Sequence, residues 1–342
     1  MSVWRFRFSL RDTSVLSTVS LGLIIVVATV LCIGGSTSRQ PPPALSPVAA
    51  IAIVRSYANG WARVVSERDF TVLNQIQSGA ALATTSAELK AKESAGEPRP
   101  EVPRPREVAV AVPRLELPPF PAHFLAIVTW SSRETDPYRE VLEFEQVSRR
   151  TPWRVWATAR LIDNIPPPPV AIDADGYAAL VDARDAENLR FSARASAKLL
   201  GAYFDDHHAP DDPAIAPGPF STGLRKQRMA ANQNFQIQQV RQYQPGAFRT
   251  AAYRLSDGSA LLLLALNGSR QVYPLDRQVV SAIIQRPGQQ GFGGLVPPGT
   301  YGSITLQMTM MLAVTIPPAH STRQLRVVAR QEQDTRATTS PP

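Results

Sequence analysis

Cysteine is almost missing from these 342 residues: the single one, Cys32, lies inside an apolar run. The rest of the chain therefore cannot form an internal disulfide and is held by its core alone. Histidine occurs four times (His123, His207, His208 and His320), which leaves little material for Ser/His/Asp or Cys/His catalysis. No G-x-S-x-G is present, and the glycine-rich stretch around Gly293 lacks the strand-then-helix setting of a phosphate cradle. Lysine is scarce as well (Lys90, Lys92, Lys198 and Lys226), so the net charge of +8 rests on arginine. Those arginines are dispersed among acids. No basic stripe with interleaved aromatics exists, which argues against nucleic-acid binding.

What is present first is a charge-free run from Val15 to Ile33, preceded by Arg5, Arg7 and Arg11. About 20 apolar residues suffice to cross a bilayer, and flanking positive charge faces the cytoplasm. The run reads as a membrane anchor, with the N-terminus cytoplasmic and the remainder outside the plasma membrane. A cleaved signal would have a shorter apolar core and a small-residue site. Leu31 before Cys32 does not fit lipid attachment.

The expected organisation is a tail at 1–14, a transmembrane anchor at 15–34 and a proline-rich stalk at 35–46. A first α+β domain follows at 47–165, a linker at 166–174, a second α+β domain at 175–330 and a disordered tail at 331–342. Ser46-Pro47 is a helix start, and Ile51, Val54, Ala58, Trp61 and Val65 make one apolar stripe behind it. Asp69 can cap a second, short helix. Strand patterns run at 123–130, 140–147 and 153–162, and again at 235–243, 248–255, 260–266, 303–316 and 325–329. Helices before strands in each half predict an N-terminal transmembrane helix followed by two domains, each of helices packed on a curved antiparallel sheet.

Tyr57, Trp61, Arg68-Asp69, Leu73 and Ser78-Gly79-Ala80 resemble a group of actinobacterial membrane-anchored extracytoplasmic proteins of unassigned function. Phe124–Val128, Val141–Glu145, Trp153-Arg154-Val155 and Tyr253–Gly258 extend that resemblance. The first half also resembles the nuclear-transport-factor-2-like (cystatin-like) fold, which hosts both enzymes and binding modules and so implies an architecture only.

Two clusters are candidate sites. Asp205, Asp206, His207 and His208, with Asp211 and Asp212, are metal-ligating types, although a solvated loop is the plainer reading. Asp69 could act as a base in the mouth of a cone, lined by Tyr57, Trp61 and His123; the plainer readings are a helix cap and core residues. The alternation of Arg with Pro at 99–106 suits an anionic wall polymer or a partner domain, or simply a charged loop. No cofactor is implied. The sequence points to a non-catalytic module binding an envelope protein or polymer. The alternatives are an isomerase- or hydrolase-like enzyme using the first domain, and an envelope spacer.

Overall fold

A computed structural model describes residues 45–340, apart from 115–119, 133–135, 163–165, 185, 207–211, 235–236, 275–294 and 297–300. Three helices come first. In α1 (Pro47–Glu67) the Ser46 side chain accepts from the Ala49 N–H at 3.2 Å and proline occupies the first turn. Arg68 ends it in the left-handed region, at φ 57°. Helices α2 (Phe70–Ile76) and α3 (Gly79–Ser94) follow. Then come β1 (Arg104–Ala111), β2 (Ala122–Ser131), β3 (Tyr138–Gln146), β4 (Arg154–Leu161) and β5 (Leu180–Asp182). Two more helices, α4 (Ala193–Phe204) and α5 (Leu224–Asn234), precede β6 (Ile237–Phe248), β7 (Ala251–Arg254), β8 (Ala260–Pro274), β9 (Ser303–Ile316) and β10 (Arg326–Ser340).

All ten strands belong to one sheet, ordered β1-β2-β3-β4-β10-β9-β8-β7-β5, with β6 also paired to β8. Two separate helix-plus-sheet domains were expected, and this continuity corrects that fold class. The strands of both halves join where Ala329 and Arg330 of β10 pair with Leu161 and Arg160 of β4. The described residues belong to one compact unit, and strand outweighs its five short α-helices. The sheet curls: the Ala178 N–H donates to the Val112 carbonyl at 2.8 Å, linking the chain after β1 to the chain before β5. Residues at the expected linker, Ala171 among them, bond alongside β7 instead of hanging free. The tail from 331, expected to be disordered, is the outer part of β10 in register with β9.

Long-range pairing overrides the local signals because β8 and β9 are covered on both faces. Leu261, Leu263, Ala265, Met311 and Ala313 lie in a core shared with α1 and β1–β4. Their alternates Leu262, Leu264, Leu266, Met310 and Leu312 lie in a second core with α4. A strand covered twice needs apolar residues on both faces, which explains the unbroken run Leu261–Leu266.

The expected membrane span finds no support in the described residues. Among the described residues no helix is long and apolar enough to cross a membrane, and residues 15–34 lie outside them.

Asn267-Gly268-Ser269 has a turn-like sequence but runs mid-strand in β8, opposite Gln242 and Tyr243 of β6. A Cβ on Gly268 would come within 2.7 Å of the Tyr243 ring and 2.9 Å of the Gln242 carbonyl. Gly268→Ala should therefore destabilise the domain by about 1–3 kcal/mol, because the contact includes backbone that cannot give way. Urea unfolding of the variant measures this. An unchanged midpoint would mean that the Tyr243 ring is not seated on Gly268.

Candidate functional site

The interior between α1 and the sheet, where the alternative reading puts a cone-shaped pocket, is packed with rings. Phe124 and Phe144, both fully buried, stack at a centroid distance of 4.6 Å. Tyr57 meets Phe144 edge-on at 5.6 Å, and Trp61 stacks on Tyr57 at 6.4 Å. The Tyr57 hydroxyl accepts from the Gln77 side chain at 3.1 Å, and burial raises its pKa. Asp69 caps α2 by accepting from the Val72 N–H at 3.0 Å, and its other oxygen pairs with Arg63 at 2.9 Å. Tyr57, Trp61 and Asp69 are thus neighbours on α1 and α2, each engaged with protein groups.

His123 lies elsewhere. It opens β2 directly across from Glu145 of β3 and joins a cluster that the linear sequence does not reveal. Glu145 accepts from the Ser78 hydroxyl at 2.6 Å and pairs with Arg249, which sits in the bend between β6 and β7. The Arg249 guanidinium lies 4.7 Å from the Trp156 ring centroid. The Tyr253 ring meets His123 edge-on at 6.0 Å. Glu143, two residues before Glu145, is 1% exposed. Burial pushes its carboxyl up to about 8, against the pull of Arg249 and the Trp156 indole. The same burial, with Arg249 nearby, holds the His123 imidazole down to about 4. Glu143 Oε2, His123 Nε2 and the Tyr253 hydroxyl are buried without hydrogen-bond partners among the described residues.

At neutral pH this cluster combines a neutral carboxyl, a neutral imidazole, and one carboxylate clamped between Arg249 and Ser78. It fastens the β7 end of the chain to β3 and β4. None of Arg249, Glu143, Trp156 and Tyr253 lies in a catalytic or metal-binding motif. The usable signal was the glutamates at 140, 143 and 145 interleaved with Val141, Leu142 and Phe144, since a buried acid needs a partner from elsewhere in the fold.

The suspected metal loop splits. Asp205 follows the last residue of α4, and Asp206 is drawn to β6, where it accepts from the Arg241 N–H at 2.9 Å. His207, His208 and Asp211 lie outside the described residues. Among the described residues no group of three or more metal-ligating side chains converges.

An open concavity lies on the far side of α1. It has a volume of about 660 Å³ and runs between the helix and the extended segment leading into β1. Asn59, Arg63 and Ser66 form one wall, with Glu101, Pro103 and Arg104 opposite. Two prolines keep that second wall extended, and the groove carries both signs of charge.

A curled sheet flanked by helices on both faces, with a lateral surface groove, defines an α+β domain. Residues 41–339 match the model of a domain of unknown function, DUF8094, and the chain belongs to that family. No curated protein and no solved structure matches the chain.

Proposed function

We propose that this domain is a non-catalytic binding module, outside the cytoplasm, that holds a protein partner or a cell-envelope component against its surface. The observation that carries this reading is the contrast between two spaces. The interior behind α1 is filled by stacked rings, whereas the groove on the outer side of the same helix is open at about 660 Å³. A groove of mixed charge with one proline-stiffened wall suits an extended chain, protein or polymer, better than a small reactive molecule. Asp69, the acid an isomerase or hydrolase would need, is committed to Val72 and Arg63. The nuclear-transport-factor-2-like likeness of the first half and the kinship with actinobacterial extracytoplasmic proteins belong to the same proposal. The fold likeness is supported by a long helix, a short helix opened by Asp69, and four antiparallel strands in succession, and the kinship by the scattered residues from Tyr57 to Gly258 that carry it.

The test is site-specific photocrosslinking from the full chain. A reactive residue at Asn59 or Ser66 should capture one discrete envelope component, and excess unlabelled protein should compete. Ala62→Trp, which fills the groove, should abolish capture. A probe at Met229, 57% exposed on α5, should not capture it. Equal capture from Met229 and Asn59, or none from either groove position, would reject the groove as the docking site.

A further inference from the structure

Away from that groove, four guanidinium groups gather on the α5 side of the sheet. Arg228 comes from α5, Arg241 from β6, Arg270 from β8 and Arg330 from β10. Arg228 and Arg241 are only 8% and 7% exposed. Among the described residues three carboxylates face them. Glu332 is saturated: Arg228 donates to both of its oxygens at 2.9 Å, the Tyr243 hydroxyl donates at 2.5 Å, and Arg330 adds a further contact. Asp334 is paired to Arg270. That leaves Asp206 as the acid for Arg241, at 3.5 Å, and the same Asp206 oxygen already accepts the Arg241 backbone N–H; the other arm of Arg241 donates to the neutral Gln239 side chain at 2.7 Å.

Arg241 is thus the least compensated of the four. It also lies directly opposite Arg270 across the β6–β8 ladder, a placement that costs stability when like charges meet. Arg330 keeps a buried Nε with no acceptor among the described residues. Among the described residues four cations face three acids, largely shielded from water, an arrangement that a further anion would stabilise. Planar guanidinium forks are suited to tetrahedral oxyanions, which they bind in bidentate fashion.

We propose that this basket is an oxyanion site for a phosphate group, with Arg241 as its anchor and Arg330 beside it. Burial first, and then mutual repulsion, hold both guanidinium groups down to about 10, in keeping with a cationic cluster short of counter-charge. The phosphate could belong to a free ion or to a phosphodiester polymer, since the chemistry recognised is the same.

Thermal unfolding of the full chain tests this, with inorganic phosphate titrated against sodium chloride at matched ionic strength. Phosphate should raise the midpoint saturably and chloride should not, as expected when a ligand binds only the folded state. Arg241→Met should weaken the apparent phosphate affinity about tenfold or more, through loss of a charge-assisted fork. Arg241→Lys, which keeps the charge, should weaken it less, and it carries the test if the methionine variant does not fold. Equal midpoints in phosphate and chloride, or undiminished phosphate affinity in both variants, would overturn the site. Polyglycerol phosphate in a parallel arm assigns the source: tighter binding than inorganic phosphate points to a polymer, weaker binding to the free ion, and either result supports the site.

Discussion

Arg249→Met is expected to destabilise the domain by about 3 kcal/mol or more, because it leaves buried acid without its cation. Arg249 and Glu145 have side chains 21% and 14% exposed, so water can replace little of the lost pairing. The Ser78 hydroxyl is then Glu145's remaining short contact, at 2.6 Å. Methionine keeps much of the stem that lies over Trp156, so the loss reports charge more than packing. In a domain of this size the midpoint should fall by roughly 5 °C or more. The double variant Arg249→Met with Glu145→Gln should recover part of the loss, since the carboxylate no longer needs a counter-ion. A loss below about 1 kcal/mol would mean that the pair behaves as an exposed surface bridge, and that it does not fasten β7 to β3.

The second large effect is a loss of stability as pH rises through neutrality. Folded, Glu143 keeps its proton up to about pH 8; unfolded, it releases it near the ordinary 4.5. The folded chain therefore binds more protons between those values. The contribution is complete below 4.5 and is lost as pH climbs to 8. Glu140 shifts the same way, to about 7. His123 runs oppositely: it titrates at about 4 folded against 6.5 unfolded, so its contribution is complete above 6.5 and is lost as pH falls toward 4. The two effects oppose each other below pH 6.5, and the carboxyl groups act alone above it. Between pH 6.5 and 8 the domain should lose about 2 kcal/mol, at roughly 1.4 kcal/mol per unit of pH for one proton. Glu143→Gln should flatten most of that slope and raise stability at pH 8. Urea midpoints at the two pH values decide it. Equal wild-type midpoints would mean that Glu143 is already ionised in the folded chain.

Much of the element-level fold was legible. Ser46-Pro47 marks the start of α1, and Asp69 caps α2, as their local chemistry requires. The alternation at 153–161 became β4. The candidate residues divided according to how local their chemistry is. Asp69 is satisfied within six residues in sequence, so the cap could be read directly. The partners of His123 lie more than a hundred residues away in the case of Arg249 and Tyr253, and no spacing rule reaches that far. Asp206 looked like a metal ligand beside His207, but the fold turned it toward Arg241 on β6.

By itself the sequence determined helix starts, strand periods, the absence of disulfides and the apolar stripe of α1, because these depend on neighbours within a few residues. It also contained the clue of Leu261–Leu266, an unbroken apolar run with no polar alternate. Only the tertiary structure decided that the two halves share one sheet, since the choice lies in pairing β4 with β10 across some 170 residues. That pairing covers β8 and β9 on both faces and curls the sheet until Val112 meets Ala178. It also gathers Glu143, Glu145, Arg249 and His123 into one buried cluster, and Arg228, Arg241, Arg270 and Arg330 into another. Charges distant in the chain acquire their meaning from burial, and burial belongs to the whole fold.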